Sequence, residues 1–308
     1  MVSRPLGAAA GVMADRLLGE PPVAAHPVAG FGTVMRQVET RLYRDARHAG
    51  AAHAALGIGL AAAAGAALES PATAAYVAVA GRSLAQTALN IEASLGRDDI
   101  IAARAQLPAL CGREPSRLDE SEIARAVVES VAENTVDAVV APALWAAVAG
   151  APGVFAYRAV NTLDAMIGHR SPRYARFGWA SARLDDAAGL IPARITAALV
   201  VAVRPRAAAR VGRAVRHDAP GHPSPNAGIA EAAFAAALGL RLGGTNRYGD
   251  RIEHRPRLGD GREPAPGDIR ASVRLSRDVT GALVALLAMP SVLRWLWRRR
   301  AGRNGRHR

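Results

Sequence analysis

Carboxylates recur along the chain at spacings that suit metal chemistry. Glu129, Glu133 and Asp137 stand four residues apart within ESVAENTVDAVVAP, residues 129–142. On a helix this spacing puts three side chains on one face, where like charges repel unless a cation lies between them. Oxygen ligands of this kind suit Mg²⁺, which usually brings phosphate groups with it. The alternative is a solvated acidic face, which Asn134 and the apolar run after it make less favourable.

A second polar segment, residues 157–186, alternates carboxylates with arginines. Its candidate ligand-binding side chains are Asn161, Asp164, His169, Arg170, Arg173, Arg176, Arg183, Asp185 and Asp186. Guanidinium groups bind phosphate oxygens while carboxylates bind the accompanying metal, so this composition can hold a nucleotide. A basic loop that binds lipid headgroups would explain the arginines but not the carboxylates. His169 considered alone is more typical of a hydrogen-bonded structural histidine than of a base.

A third polar segment, residues 217–244, contains HPSPN followed by an apolar, glycine-ended run. Its prolines predict an irregular loop, and Ser224 or Asn226 is suited to cap the helix that carries Glu231. Capping explains part of this pattern. The density of His222, Ser224 and Asn226 in a rigid loop also indicates contact with a ligand.

Apolar segments must position these motifs. Residues 49–68 and 138–157 carry no charge and are each about long enough to cross a bilayer, and shorter apolar runs cover 70–81 and 279–293. The 138–157 run contains Gly-Ala-Pro-Gly at 150–153, a strong turn signal. A hairpin that enters the membrane, reverses there and returns would keep the motifs on either side of it on one face.

Composition excludes several classes of protein. All 39 basic side chains are arginine against 26 acidic ones, and there is one cysteine. A disulfide framework, a cysteine zinc site and a lysine-dependent Walker A loop are therefore excluded. Dispersed arginines with 4% aromatic residues disfavour nucleic-acid binding.

The two tryptophans and the arginine run after residue 293 predict a basic tail, 294–308, that anchors at the cytoplasmic membrane surface.

Six motifs together resemble the adenosylcobinamide-phosphate synthases of cobalamin biosynthesis, the CobD/CbiB family. The motifs are GEPPVAAHPVAGFG, ESVAENTVDAVVAP, YRAVNTLDAMIGHR, FGWASARLDDAAGLIPAR, HPSPNAGIAEAAFAAALGLRLGG and NRYGD. Their order and spacing match from near residue 11 to near residue 290, so the set is specific although no single motif is. The family often has an aspartate where this chain has Glu20, so the carboxylate here stands on a longer side chain.

The resemblance implies an all-α fold: a polytopic integral membrane helical bundle with long polar cytoplasm-facing loops, in a single domain over residues 1–308. The turn signal at 150–153 adds a re-entrant hairpin to this expectation. The same resemblance implies a multi-pass plasma membrane enzyme that joins aminopropanol, or its O-phosphate, to adenosylcobyric acid in an amide bond. ATP with Mg²⁺ would activate the acid. Membrane lipid and other membrane-associated cobalamin-assembly proteins are the expected partners, and nucleic acid is not.

The resemblance also assigns candidate roles to residues. The predicted catalytic set is Glu133, Asn134, Asp137, Asn161, Asp164, His169 and His222, with His26 as a further candidate base. The predicted metal ligands are Asp137, Asp164, Asp185 and Asp186. The predicted nucleotide-binding residues are Arg158, Arg170, Arg183, Ser224 and Asn226.

Other functions remain open at this point. A transporter also buries ionisable residues beside apolar helices, but it should show more and longer spans. A non-catalytic membrane scaffold or sensor related to this family would not need six polar motifs. A prenyltransferase-like enzyme would explain ENTVD and NTLD but not HPSPN or GEPPVAAHP.

Overall fold

The computed structural model describes residues 3–20, 27–169, 171–248 and 251–304, most of them helical. The helices are α1 (Arg4–Leu18), α2 (Pro27–Leu42), α3 (Arg47–Leu68), α4 (Pro71–Ala78), α5 (Gly81–Leu95), α6 (Ile100–Gln106), α7 (Glu120–Thr135), α8 (Ala141–Leu163), α9 (Trp179–Val203), α10 (Ala208–His217), α11 (Ala227–Leu238) and α12 (Pro266–Asn304). Two π-helical segments, Val136–Val140 and Asp164–Gly168, follow α7 and α8.

Local sequence signals account for where several helices begin. Asp119 and Glu122 form a reciprocal capping box at the start of α7, each side chain accepting a hydrogen bond from the other's backbone amide. Ser70 caps α4 by accepting from the amide of Thr73. Each such cap satisfies amides that the helix itself leaves unpaired and contributes about 1 kcal/mol.

Helix α8 reverses direction at Gly150. This residue has φ 70° and ψ −156°, a backbone conformation that favours glycine, and Arg4 donates a hydrogen bond to the Val148 carbonyl just before it. The amide nitrogen of Asn161 lies 3.4 Å from a carboxylate oxygen of Asp137, 24 residues earlier. A continuous helix would separate such residues by about 36 Å, so the two arms must fold back on one another.

Helix α3 packs closely against this reversal. A Cβ atom built on Gly65 would lie 2.5 Å from the Ala151 carbonyl oxygen and 2.8 Å from Cα of Pro152. The core around these helices is rich in alanine, whose small side chain lets backbones approach closely. The absence of a side chain at Gly65 is therefore a packing requirement.

The expectation of long apolar helices is confirmed. Four helical stretches are long and apolar enough to cross a membrane: Arg47–Leu68, Glu120–Gly168, Trp179–Val203 and Pro266–Arg294. The second of these contains the reversal at Gly150, so it comprises two arms. The apolar run at residues 70–81 provides only the short helix α4. The arginine-rich end of the chain continues α12 as far as Asn304.

The prediction of an all-α fold is wrong between α11 and α12. Strands β1 (Leu242–Tyr248) and β2 (Arg251–Leu258) pair there in antiparallel register, with Tyr248 opposite Arg251. Only a glycine and an aspartate separate the two strands in sequence, and this dipeptide is a recognised hairpin signal. The segment is rich in arginine and lacks a long apolar run, so composition alone does not indicate a strand there.

The packing at Gly65 predicts a stability difference between two glycines of one helix. Gly65→Ala should lower the unfolding free energy by about 1–3 kcal/mol, because the new methyl group has no room. Gly59→Ala on the same helix meets nothing within 4 Å and should leave stability unchanged or raise it by up to about 1 kcal/mol. Thermal unfolding in detergent micelles measures both; equal midpoints would contradict the close approach.

Candidate functional site

One polar cavity gathers most of the predicted site residues. It has a volume of about 590 Å³ and lies among α7, the end of α8, the start of α9, the loop before α11 and strand β2. Its polar lining comprises Glu133, Asp137, Asp164, His169, Tyr174, Arg183, Asp185, Asp186, Ser224, Asn226, Glu253, His254 and Arg255. Segments up to about 120 residues apart in sequence therefore contribute to one binding space, which is called the carboxylate cavity below.

Six carboxylates line the carboxylate cavity, and Asn161 links two of them. Its side-chain amide donates to Oδ2 of Asp137 at 3.4 Å and to Oδ1 of Asp185 at 3.3 Å. Asp164 lies at the start of the second π-helical segment, and Asp186 pairs with Arg183 at 3.2 Å. Like charges this close repel one another, and a bound cation would relieve that repulsion.

The acidic stripe of α7 divides into two parts with different partners. Glu133 and Asp137 face the carboxylate cavity. Glu129 is buried, contacts the guanidinium of Arg113 and accepts a hydrogen bond from the amide of Gly243 at 2.7 Å. Its carboxylate therefore joins α7 to strand β1, so the role of Glu129 in the acidic stripe is structural.

Arg125 strengthens the same connection. Its guanidinium donates to the carbonyl oxygens of Gly243 and Thr245 at 2.7 and 3.0 Å and to Oδ1 of Asn246 at 2.9 Å. The base of the β hairpin is therefore held on α7 by two neighbouring charged side chains, Arg125 and Glu129. This attachment positions β2 beside the carboxylate cavity.

The loop before α11 is braced from two sides. Oγ of Ser224 accepts hydrogen bonds from the amides of Asn226 and Ala227, whereas Asn226, at the N-cap position of α11, makes no side-chain cap. The Asn226 side-chain amide donates to the Asp186 carbonyl at 2.8 Å, and its Oδ1 has no partner among the described residues. Asn226 thus ties this loop to α9 and leaves one acceptor for a ligand.

The two described candidate bases have different environments. His169 is exposed at the cavity rim, where its ring meets Tyr174 edge-on at 5.0 Å. His222 is buried: Nδ1 accepts from the Ser224 amide at 3.1 Å, and Nε2 lies 3.2 Å from Nη1 of Arg255. Burial, followed by the charge of Arg255, lowers the pKa of His222. His222 therefore supports the loop as a neutral ring, and His169 is the freer of the two.

Some predicted residues lie elsewhere. The Asn134 amide donates to the Ser130 carbonyl, and its side chain lines a different cavity of about 140 Å³ on another face of α7. Arg158 lines a separate apolar cavity of about 240 Å³, and its Nη1 donates to the Asp137 carbonyl at 3.5 Å and to Oδ1 of Asn161 at 3.3 Å. Arg170 and His26 lie outside the described residues.

Strand β2 supplies three cavity residues that the sequence reasoning missed: Glu253, His254 and Arg255. Nδ1 of His254 lies 3.1 Å from Oγ1 of Thr245 on the paired strand. The short Gly-Asp connection could have revealed the hairpin. Its position over the cavity depends on contacts with α7 that no local pattern contains.

The described residues contain no preassembled group of three His, Cys, Asp or Glu side chains at metal-binding distance. Mg²⁺ does not require one, because it commonly binds one or two carboxylates together with phosphate oxygens and water. The magnesium site stays a prediction, and the carboxylate oxygens on Asp137, Asp164, Asp185 and Asp186 are of the chemical type that it needs.

Comparisons with known proteins identify relatives over most of the chain. The family described as CobD/Cbib protein matches residues 8–276. The chain is 50% identical over 300 residues to the cobalamin biosynthesis protein CobD of Mycobacterium tuberculosis (strain CDC 1551 / Oshkosh), covering 93% of this chain and 96% of that protein. The CobD proteins of Chromobacterium violaceum and Geobacter metallireducens are 43% and 39% identical, covering 86% and 92% of this chain and 89% and 95% of their own lengths. No solved structure matches the chain.

The attachment of the hairpin to α7 predicts that Glu129→Gln is strongly destabilising. The substitution leaves the buried Arg113 guanidinium without its carboxylate, which should cost about 3–5 kcal/mol. Glu120→Gln, at the exposed first turn of α7, should cost at most about 1 kcal/mol. Thermal unfolding measures the difference, and tryptic cleavage within β2 should accelerate only in the Glu129 variant. Unchanged stability and cleavage would contradict the anchoring role.

Proposed function

The chain belongs to the CobD/CbiB family of cobalamin biosynthesis proteins, and we propose that it is an ATP-dependent amide ligase. Its proposed reaction joins aminopropanol, or its O-phosphate, to adenosylcobyric acid and yields adenosylcobinamide or its phosphate. The observation that carries this proposal is the convergence of Glu133, Asp137, Asp164, Asp185 and Asp186 on one cavity that arginines and histidines also border.

The carboxylate cavity fits a magnesium nucleotide in its chemistry. Asp137, Asp164, Asp185 and Asp186 would hold Mg²⁺ through carboxylate oxygens, which this hard cation prefers. When bound, magnesium ATP supplies a phosphoryl group that activates the carboxylate of the acid substrate. This activation is needed because amide formation from a free carboxylate is unfavourable in water.

Arginines and the loop before α11 would bind the phosphates. Arg183 lines the cavity, and Arg158, which contacts the Asp137 carbonyl, has a buried Nε without a partner among the described residues. Guanidinium groups neutralise phosphate charge as it moves during transfer. Ser224 and the free Oδ1 of Asn226 would orient the nucleotide or the alcohol of the second substrate. Arg170 remains a further candidate of the same type.

The remaining cavity residues would manage the proton of the amine. Aminopropanol is an ammonium ion at neutral pH, so it must lose a proton before its nitrogen can attack. Glu133, exposed to the cavity, would hold the ammonium through its carboxylate. His169 would accept the proton, because an imidazole nitrogen can act as a general base and this ring is exposed at the rim.

The membrane arrangement that we propose keeps the cavity on the cytoplasmic side of the plasma membrane, where ATP is present. The two arms that meet at Gly150 would enter the membrane from that side and return to it. Helices α3 and α12 would provide full spans. Helix α9 would not cross completely, because Asn226 in the loop before α11 returns to the Asp186 carbonyl near the start of α9. The contact between Asp137 and Asn161 supports this arrangement, because the regions on either side of the reversal share one cavity.

The proposed reaction predicts loss of activity when cavity carboxylates are neutralised. Asp137→Asn and Asp164→Asn should each lower amide formation at least about 100-fold, as expected when one electrostatic group of an active site is removed. Membrane fractions supplied with adenosylcobyric acid, aminopropanol phosphate, ATP and Mg²⁺ provide the assay. Both variants should reach the membrane in normal amounts.

Asp260→Asn is the matched control, since this side chain is 75% exposed outside the cavity and should retain full activity. Near-normal turnover of both cavity variants would contradict a role for these carboxylates. Absence of amide product with the folded wild-type protein, with either amine substrate, would remove the ligase proposal.

The helical hairpin formed by the two arms of α8 predicts that two exposed positions, one before and one after it, are labelled from the same side of the membrane. In a Cys111→Ala background, Ser116→Cys before α7 and Ala165→Cys after α8 should react with an impermeant maleimide in vesicles of the same orientation. The segment between them reverses at Gly150, so it returns to the side from which it came. Reaction of the two positions in vesicles of opposite orientation would show a crossing and overturn the arrangement.

A further inference from the structure

A second polar cavity lies between α5 and α12, with the end of α1 closing one side. It has a volume of about 380 Å³. A neighbouring cavity of about 470 Å³ continues between the same two helices and shares Gln86, Val273 and Arg277 with the first. These two cavities together are called the α5–α12 groove below.

Helix α7 separates the α5–α12 groove from the carboxylate cavity. Val131 lines the groove, whereas Glu133 lines the carboxylate cavity. Residues that stand two positions apart on a helix point in directions about 200° apart, so the side chains of Val131 and Glu133 project from opposite faces of α7. The groove is therefore a distinct binding space, and none of the residues proposed for amide formation lines it.

The groove carries an excess of positive charge. Its arginines are Arg16, Arg82, Arg270, Arg274 and Arg277, and its acids are Asp15 and Glu92. Glu92 is engaged by Arg270 at 2.8 Å. Arg274 and Arg277 make no hydrogen bond or ion pair with any residue that the structure describes. Two exposed guanidinium groups, one turn apart on α12, are thus available to an anion.

Asp15 provides an independent observation at the closed end of the groove. Its side chain is 2% exposed, and Oδ2 accepts hydrogen bonds from the amides of Gly81 and Arg82 at 3.1 Å each. Its other oxygen, Oδ1, is buried and has no partner within the described part of the chain. Burial raises the pKa of Asp15 to about 6, so at pH 7 an ionised acceptor remains unsatisfied in the groove wall.

These features suit a ligand that combines an anion with a hydrogen-bond donor. Ser276, Thr280 and Gln86 add neutral polar groups to the lining. Guanidinium groups favour phosphate because their paired N–H donors match its oxygens. An ammonium or hydroxyl group next to the phosphate would satisfy Asp15.

We propose that the α5–α12 groove binds the phosphate group of a ligand that also carries an ammonium or hydroxyl donor. Two sources have this chemistry: a free phosphate ester and the headgroup of a phospholipid. The position of Arg274 and Arg277, directly before the apolar run at residues 279–293, makes both sources accessible at the end of a candidate span.

Binding of defined probes to the full-length protein tests this proposal. Titration calorimetry in detergent uses inorganic phosphate and phosphoethanolamine, and phosphoethanolamine should bind more tightly because its ammonium reaches Asp15. Arg274→Gln/Arg277→Gln should weaken both probes at least about 10-fold, since each lost charged hydrogen bond has an effect of that order. The exposed pair Arg210→Gln/Arg213→Gln on α10 removes the same charge elsewhere and should leave binding unchanged.

The outcomes distinguish a specific binding site in the α5–α12 groove from nonspecific electrostatic attraction to arginines. Equal weakening by the two double variants, or full binding by the groove variant, would overturn the proposal. Repeating the titration in phosphatidylcholine nanodiscs with and without phosphatidylethanolamine identifies the source. If phosphatidylethanolamine weakens binding of the free probes to the wild-type protein but not to the groove variant, the groove is a lipid headgroup site. If the free probes bind equally well with and without this lipid, the natural ligand is a soluble phosphate ester.

Discussion

The reversal at Gly150 is the constraint on which the candidate site depends. Gly150 adopts a positive φ, which glycine accepts readily, and this lets the backbone turn back on itself. The two arms of α8 therefore lie side by side. That arrangement brings Asn161 within reach of Asp137 and Asp185, which come from separate helices. Gly65 on α3 admits the turn by leaving space for the backbone at Ala151. A straight helix would instead hold the ESVAENTVD and NTLD motifs about 36 Å apart.

Charge is organised around α7 in two opposite ways. One face borders a cavity lined by six carboxylates, whose like charges repel one another. Another face borders the α5–α12 groove, where arginines exceed acids. The buried Glu129 between these regions is fully engaged with Arg113 and the hairpin. The helix therefore separates an anionic site from a cationic one, and its own buried charge holds the structure together.

Sequence patterns predicted much of the site because its motifs are local. The spacing of Glu133 and Asp137 places both on one helix face, and both line the cavity. The same spacing could not distinguish Glu129, whose partner Arg113 lies in a loop before the helix. Asn134 stands next to Glu133 in the motif but points to another cavity, because adjacent helical residues differ by about 100° in direction.

The contribution of the β hairpin illustrates why other features required the folded chain. Residues 253–255 carry no motif, and their position over the cavity comes from Arg125 and Glu129, more than 110 residues away from their hairpin partners. The helix-rich assignment failed here because an arginine-rich strand pair lacks the apolar alternation by which strands are usually recognised.

By itself, the sequence determined the helical, apolar character of the chain, its family and the residue types available for chemistry, because these follow from composition and short-range spacing. Only the tertiary structure decided which carboxylates face a common cavity, which one anchors a hairpin and where a second, basic groove lies. Those outcomes depend on contacts between distant segments, and a single backbone reversal at Gly150 changes the neighbours of both arms.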